Sequence, residues 1–271
     1  MRIFKKIFNF YIDGSIHVAL SCYALVCMTQ QMFQVSQDET TAYFAFFGTI
    51  VGYNFVKYEA LARAKKAQMR NELKAISILS FLSLLAVGFY FFQLQRITQI
   101  VSVAFLILTL LYTLPFFPNR ENARNWAGLK IYIVALCWVG VTVVLPVLNA
   151  EINITSDFYL KCIQRFILIF VLILIFEIID LANDDPYLQT VPQQIGVRPT
   201  KIAGILLLIP FYFLEFLKTN FDQKQLIVNL ILVSIISLFL LFANEKSSKY
   251  YTSFWVESIP ILWWLMLVFI Q

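Results

Sequence analysis

The chain has 271 residues, of which 60% are hydrophobic and 14% charged, with a formal net charge of +5 and a mean hydropathy of +0.76. That balance excludes an ordinary soluble domain and fits a polytopic membrane protein. His17 is the only histidine, which argues against histidine metal sites and Ser-His catalysis, and no basic stretch outside the apolar runs is interleaved with aromatics as nucleic-acid binding would need.

In chain order, a basic start, Met1 to Lys6, is followed by no small-residue cleavage site, so the first apolar segment reads as a retained anchor. Nine helical spans of about 20 residues can be drawn. They cover Phe10–Phe33, Thr41–Leu61, Ala75–Phe92, Ile97–Phe116, Gly128–Leu148, Phe158–Ile179, Lys201–Leu217, Leu226–Ala243 and Tyr250–Ile270. The third and fourth form a tight hairpin over Gln93 to Arg96. Helices are expected because isolated strands would leave backbone groups unpaired in lipid. Cys22, Cys27, Cys137 and Cys162 all fall in apolar runs, with no metal or redox spacing, and read as packing residues.

Charge orients the expected bundle. Fifteen Lys and Arg residues fall on one side, including Arg2, Arg63, Arg120, Arg124, Lys130 and Lys249. Five fall on the other: Arg96, Lys161, Arg165, Lys218 and Lys224. The excess places the N-terminus in the cytoplasm and, with nine spans, the C-terminus outside. Short loops and the absence of a transit peptide suit a bacterial inner membrane.

The sixth span ends in Glu177, Asp180, Asp184 and Asp185. Acids at the end of a membrane span are expensive and are candidates for function. Glu177, Asp180 and Asp184 are spaced i, i+3, i+7, which gives them one face if the helix continues. Such a face suits a hard divalent cation, although a solvated acidic helix end has the same pattern. Span two ends on the same side with Tyr53-Asn54-Phe55-Val56-Lys57-Tyr58-Glu59. Two polar helix ends four spans apart suggest two related four-helix halves plus a ninth helix. Asp13 and His17, at i, i+4, read as a local helix pair, and Glu257 lies at similar depth in span nine.

These residues resemble the UbiA superfamily of intramembrane prenyltransferases. Its second motif runs roughly Asp-x-x-Asp-x-x-x-Asp, and here Glu177, Asp180 and Asp184 stand at the acidic positions. Gln189-Thr190-Val191-Pro192 and Gly196 follow in the family's order, and after span four come Tyr112, Pro115, Arg120, Arg124, Asn125 and Lys130. The family's first motif, roughly Asn-Asp-x-x-Asp-x-x-x-Asp, survives only as Asn54, with Phe55, Tyr58 and Ala62 at its acidic positions and Glu59 displaced.

The resemblance implies one all-α domain over residues 1–271 and a nine-helix bundle. It implies Mg²⁺ on Glu177, Asp180 and Asp184, holding a prenyl diphosphate for transfer to a membrane-soluble acceptor, aromatic or lipid. Asp180, Asp184 and Lys130 take catalytic roles in that picture, while Asn54, Lys57, Tyr58, Arg63, Tyr112, Arg120 and Arg124 bind substrate. The degenerate first motif leaves open a protein that binds an isoprenoid diphosphate without turnover. A small transporter is a third class, disfavoured because no Gly/Pro break recurs at matching positions in the two halves.

Overall fold

The computed structural model describes residues 2–35, 38–64, 71–113, 128–182, 184, 188–219 and 222–270. All regular structure among them is helical. In order come α1 (Arg2–Asp13), α2 (Ile16–Met32), α3 (Glu39–Ala64), α4 (Asn71–Phe91) and α5 (Arg96–Thr113). One span follows in two parts, α6 (Leu129–Val139) and α7 (Leu145–Asn149), joined by a π-helical turn, Gly140–Val144. Then come α8 (Ser156–Asp180), the short α9 (Val191–Ile195), α10 (Val197–Phe213), α11 (Gln223–Phe242) and α12 (Ile259–Ile270), which a π turn, Tyr251–Val256, precedes. Six helical stretches among the described residues are long and apolar enough to cross a membrane, and a seventh if α1 and α2 count as one bent span. The chain is therefore an integral membrane protein. Helices α3 and α5 lie where the sequence placed spans two and four, but Asn54, Lys57 and several tyrosines dilute the apolar character of α3, and α5 is short.

The first expected span is not one helix. Its axis bends by 54° between α1 and α2. Ser15 at the break takes the left-handed conformation, φ 62°, and a Cβ on Gly14 would lie 2.8 Å from the Phe10 carbonyl oxygen, so only glycine fits the turn. Beyond the break, α1 is too short to span. It exposes Ile3, Phe4 and Ile7, while Phe8 packs against Tyr250 and Phe254 at ring centroids 5.7 and 5.3 Å apart.

Helix α8 is the hub. It packs on α6 and α10, and α2, α10, α11 and α12 close around the same apolar core. By contrast α4 buries little of itself and turns Ile78, Phe81, Leu82, Leu85 and Phe89 outward. In lipid that arrangement carries no penalty, because the tails are as apolar as the side chains. At Gly140 the π turn meets α5 so closely that a Cβ would fall 2.1 Å from the Phe105 ring.

The charges that the sequence assigned to the outer side include two that are not loop charges at all. Lys161 and Arg165 sit one turn apart on α8 and are fully enclosed. The Arg165 guanidinium donates to the Leu25 carbonyl at 3.4 Å, to Thr142 Oγ1 at 3.1 Å and to Thr29 Oγ1 at 3.3 Å. Pro146 has no N–H for the carbonyl four residues before it, that of Thr142. The Thr29 hydroxyl donates to that carbonyl at 2.6 Å. Thr29 thus joins α2, the π turn and α8. Thr29→Val keeps the shape and removes the hydroxyl, so it should lower stability by about 1–3 kcal/mol, read as a lower midpoint of thermal unfolding in detergent.

Candidate functional site

The last turn of α8 delivers the acidic residues. Glu177 is buried there, and its Oε2 accepts the Val191 N–H at 3.1 Å. That bond ties the end of α8 to the start of α9, where Thr190 and Gln193 form a capping box and Pro192 occupies the first turn. Gly196, at φ 86°, then turns the chain into α10. The Gln189 to Gly196 stretch therefore folds as a strap across the foot of α8.

Regular helix ends at Asp180, so the expected continuous face from Glu177 to Asp184 is not a regular helical one. One more i→i+4 bond, from the Asp184 N–H to the Asp180 carbonyl at 2.9 Å, carries the chain around a further turn. Asp180 is exposed and Asp184 half-buried. The Oδ2 of Asp184 is enclosed and has no hydrogen-bond partner among the described residues. Lys130, in the first turn of α6, lies close enough to act electrostatically on Glu177 and Asp180, as Asp184 also does. Carboxylates with a cation beside them form the polar end of the bundle. Asp185 lies outside the described residues.

Among the described residues no three His, Cys, Asp or Glu side chains converge as a metal-holding group. Glu177 has one oxygen committed to Val191, so Asp180 and Asp184 are the carboxylates left to face a ligand. Mg²⁺ commonly takes one or two carboxylates and completes its shell with water and phosphate oxygens. The orphaned Asp184 oxygen and the exposed Asp180 fit a site of that kind.

The positions that answer to the first motif find partners at the break between α1 and α2. Asn54 is buried, and its Nδ2 donates to the Gly14 carbonyl at 3.1 Å and to Ser80 Oγ at 2.9 Å. Lys57 Nζ donates to Ser15 Oγ at 3.2 Å, and the Tyr58 hydroxyl donates to the Asp13 carbonyl at 2.8 Å. All three residues brace the break between α1 and α2. Lys57 also lies within electrostatic reach of Glu257 and Asp13. The expected Asp13–His17 pair does not form, because the break falls between them. Asp13 faces Lys249 at 3.7 Å instead. His17 joins the Tyr11 hydroxyl at 2.6 Å through Nδ1 and the Phe254 carbonyl at 2.9 Å through Nε2. Ser80 and the backbone of the break were missed as partners, although Gly14-Ser15 inside an apolar run was a readable signal of a bend. Arg63 and Tyr112 lie on described helices, but their side chains are outside the described part, as are Arg120 and Arg124 entirely.

No protein-family model matches the chain, and no curated protein matches it either. One solved structure is similar. It belongs to work on digeranylgeranylglyceryl phosphate synthase in membranes, with a TM-score of 0.56, 13% sequence identity and 98% of each chain covered. The two chains share one fold. At this identity the match carries the fold over 98% of the chain and leaves activity, substrate and metal to the residues themselves.

The Glu177–Val191 bond yields a local prediction. Glu177→Ala should raise the hydrogen-exchange rate of the Val191 amide roughly tenfold, equivalent to the loss of about 1.4 kcal/mol of protection. Asp180→Ala should leave that amide unchanged in the same mass-spectrometric measurement.

Proposed function

We propose that the chain is a UbiA-like intramembrane prenyltransferase of nine spans, acting on a prenyl diphosphate and an acceptor that is itself dissolved in the membrane, aromatic or lipid. The observation that carries this reading is the joint one: a prenyltransferase fold over 98% of the chain, with Asp180, Asp184 and Lys130 gathered at the end of its central helix. Positive-inside charge supports placing that end in the cytoplasm, with the C-terminus outside, in a bacterial inner membrane.

In this reading Asp180 and Asp184 hold Mg²⁺, and Glu177 fixes the strap that shapes the floor of the site. When bound, Mg²⁺ supplies counter-charge to the diphosphate as its C–O bond ionises. Lys130 adds a fixed positive charge on the facing helix. Arg63, Arg120 and Arg124 are assigned to the outer phosphate oxygens, where a guanidinium fork matches paired oxygens. Tyr58, Tyr112 and Asn54 are assigned to substrate binding. Lys57 stands among the first-motif positions, and its ammonium is assigned part of the neutralisation that a further metal ion would provide.

A second reading has a specific observation behind it. Asn54, Lys57 and Tyr58 all have hydrogen bonds at the α1–α2 break. A protein whose first-motif positions serve as a brace can retain the diphosphate site and bind an isoprenoid diphosphate without turnover.

The deciding experiment is binding of geranylgeranyl diphosphate to purified protein in Mg²⁺ and in EDTA, followed by assay for prenylated product. Mg²⁺-dependent binding, lost in Asp180→Ala and Asp184→Ala and largely kept in Glu59→Ala, is expected. Equal, Mg²⁺-independent binding by wild type and both aspartate variants would remove the metal assignment. Binding without product across a panel of acceptors would favour the second reading.

A further inference from the structure

A second site lies at the opposite end of the bundle. Lys130 opens the span that α7 closes, and Asn149 at its far end donates to Asp38 Oδ2 at 2.6 Å. The turn between α2 and α3 is therefore a full span away from the carboxylates, about 30 Å at 1.5 Å per residue. There, α3 and α12 both pack on α2 and leave a partly open cavity of 740 Å³ between them. Each helix turns one face to it. Tyr23, Cys27 and Gln30 of α2 lie at helical spacing, as do Glu39 and Ala42 of α3 and Trp264 and Val268 of α12, and Gln34 joins them from the turn after α2.

The lining has a definite chemistry. Among the described residues it carries one carboxylate, Glu39, and no lysine or arginine. Tyr23 meets Trp264 edge-on at 6.4 Å and leans on Tyr43 at 5.8 Å, so aromatic surfaces converge beside the acid. The neighbouring Asp38 is already committed. Its carboxylate accepts from the Thr40 N–H at 3.0 Å, from the Thr41 hydroxyl and from Asn149. Glu39 is exposed at the first turn of α3 and is the charge that a ligand meets. Aromatic faces with an anion nearby and no competing cation are the surroundings that an ammonium group prefers. Val268 is 46% exposed and Phe269 next to it 81% exposed, so the mouth borders the lipid-facing surface.

We propose that this cavity binds the ammonium group of a ligand, and that its resident ligand is a lipid with an ethanolamine or choline headgroup. The ammonium sits between Tyr23, Trp264 and Glu39. The exposed Gln34 amide faces the phosphate and glycerol oxygens, Gln30 being held by the Asp38 carbonyl at 2.8 Å, and the chains leave past Val268 into the bilayer. This site is independent of the diphosphate chemistry at the other end, so it stands or falls apart from it.

The test is lipid retention. Full-length protein in detergent is incubated with equal amounts of phosphatidylethanolamine, phosphatidylcholine and phosphatidylglycerol, and the lipids retained are identified by native mass spectrometry. The two ammonium lipids should be retained over phosphatidylglycerol. Glu39→Gln and Trp264→Leu should each reduce that preference at least about threefold, while Asp180→Ala leaves it intact. Glu39 is exposed, so its isosteric change does not disturb packing, and circular dichroism confirms helix content. Displacement of the lipid by soluble choline would show that the ammonium alone is recognised, and resistance to choline would show that the whole lipid is required. Equal retention of phosphatidylglycerol, or an unchanged preference in both cavity variants, would overturn the proposal.

Discussion

A guanidinium sealed away from water must find its acceptors inside the protein, and Arg165 finds them on two other helices. Its bonds reach the Leu25 carbonyl and the hydroxyls of Thr29 and Thr142. Leaving such a charge unsatisfied in low dielectric is costly, so the geometry of α2, α8 and the π turn is fixed together. The apolar contacts alone would permit sliding, since lipid and leucine are nearly interchangeable packing partners for a membrane helix. Polar bonding at depth sets the register. Lys161, one turn away, places its Nζ 4.8 Å from the Trp263 ring centre and so joins α12 to the same centre.

Because α8 is anchored at Arg165, its far end is held rigid three turns on, where Glu177 and Asp180 emerge. The strap from Gln189 to Gly196 closes against it through one bond to a carboxylate and one capping box. A motif that reads in sequence as a run of acids followed by Thr-Val-Pro and Gly is thus two devices in space. Asp180 is exposed and one Asp184 oxygen has no partner among the described residues, while the glutamate turns inward to hold the chain that follows. That division also explains why a glutamate at the first position is compatible with the fold: its longer side chain reaches the Val191 amide.

Much of this was legible beforehand. The membrane class, the helical content and the polar foot of α8 follow from apolar runs of the right length ending in carboxylates. What escaped is what depends on tertiary partners. A window of hydropathy cannot separate Phe10–Phe33 into two helices 54° apart, because the apolar run continues through Gly14-Ser15. Lys161 and Arg165 counted as ordinary charges at a helix end, since nothing local shows that Thr29 and Thr142 will arrive from elsewhere to meet them. The resemblance assigned Asn54, Lys57 and Tyr58 to substrate, and nothing local announced the partners they have within the chain. Their partners are the backbone and hydroxyl of a bend more than 35 residues away in sequence. The aromatic and acidic cavity is assembled from three helices, none of which announces it alone.

The bend at Gly14-Ser15 also bears on how deep the molecule sits in its bilayer. Helix α1 leaves the bundle at an angle, with Ile3, Phe4 and Ile7 outward and Lys5 and Lys6 exposed beside them. A short helix of that make-up is at ease only at the boundary between headgroups and acyl chains. Its attachment to the π turn before α12, through Phe8 on Phe254 and through the Tyr250 hydroxyl on Asn9 at 2.6 Å, makes it a float joined to the hull. A thicker membrane cannot be met by sliding the bundle along its normal without drawing those lysines into hydrocarbon or lifting those apolar side chains into water. Adjustment must come from tilt or from local thinning of the lipid, which keeps the carboxylate end at a constant height relative to the phosphates around it.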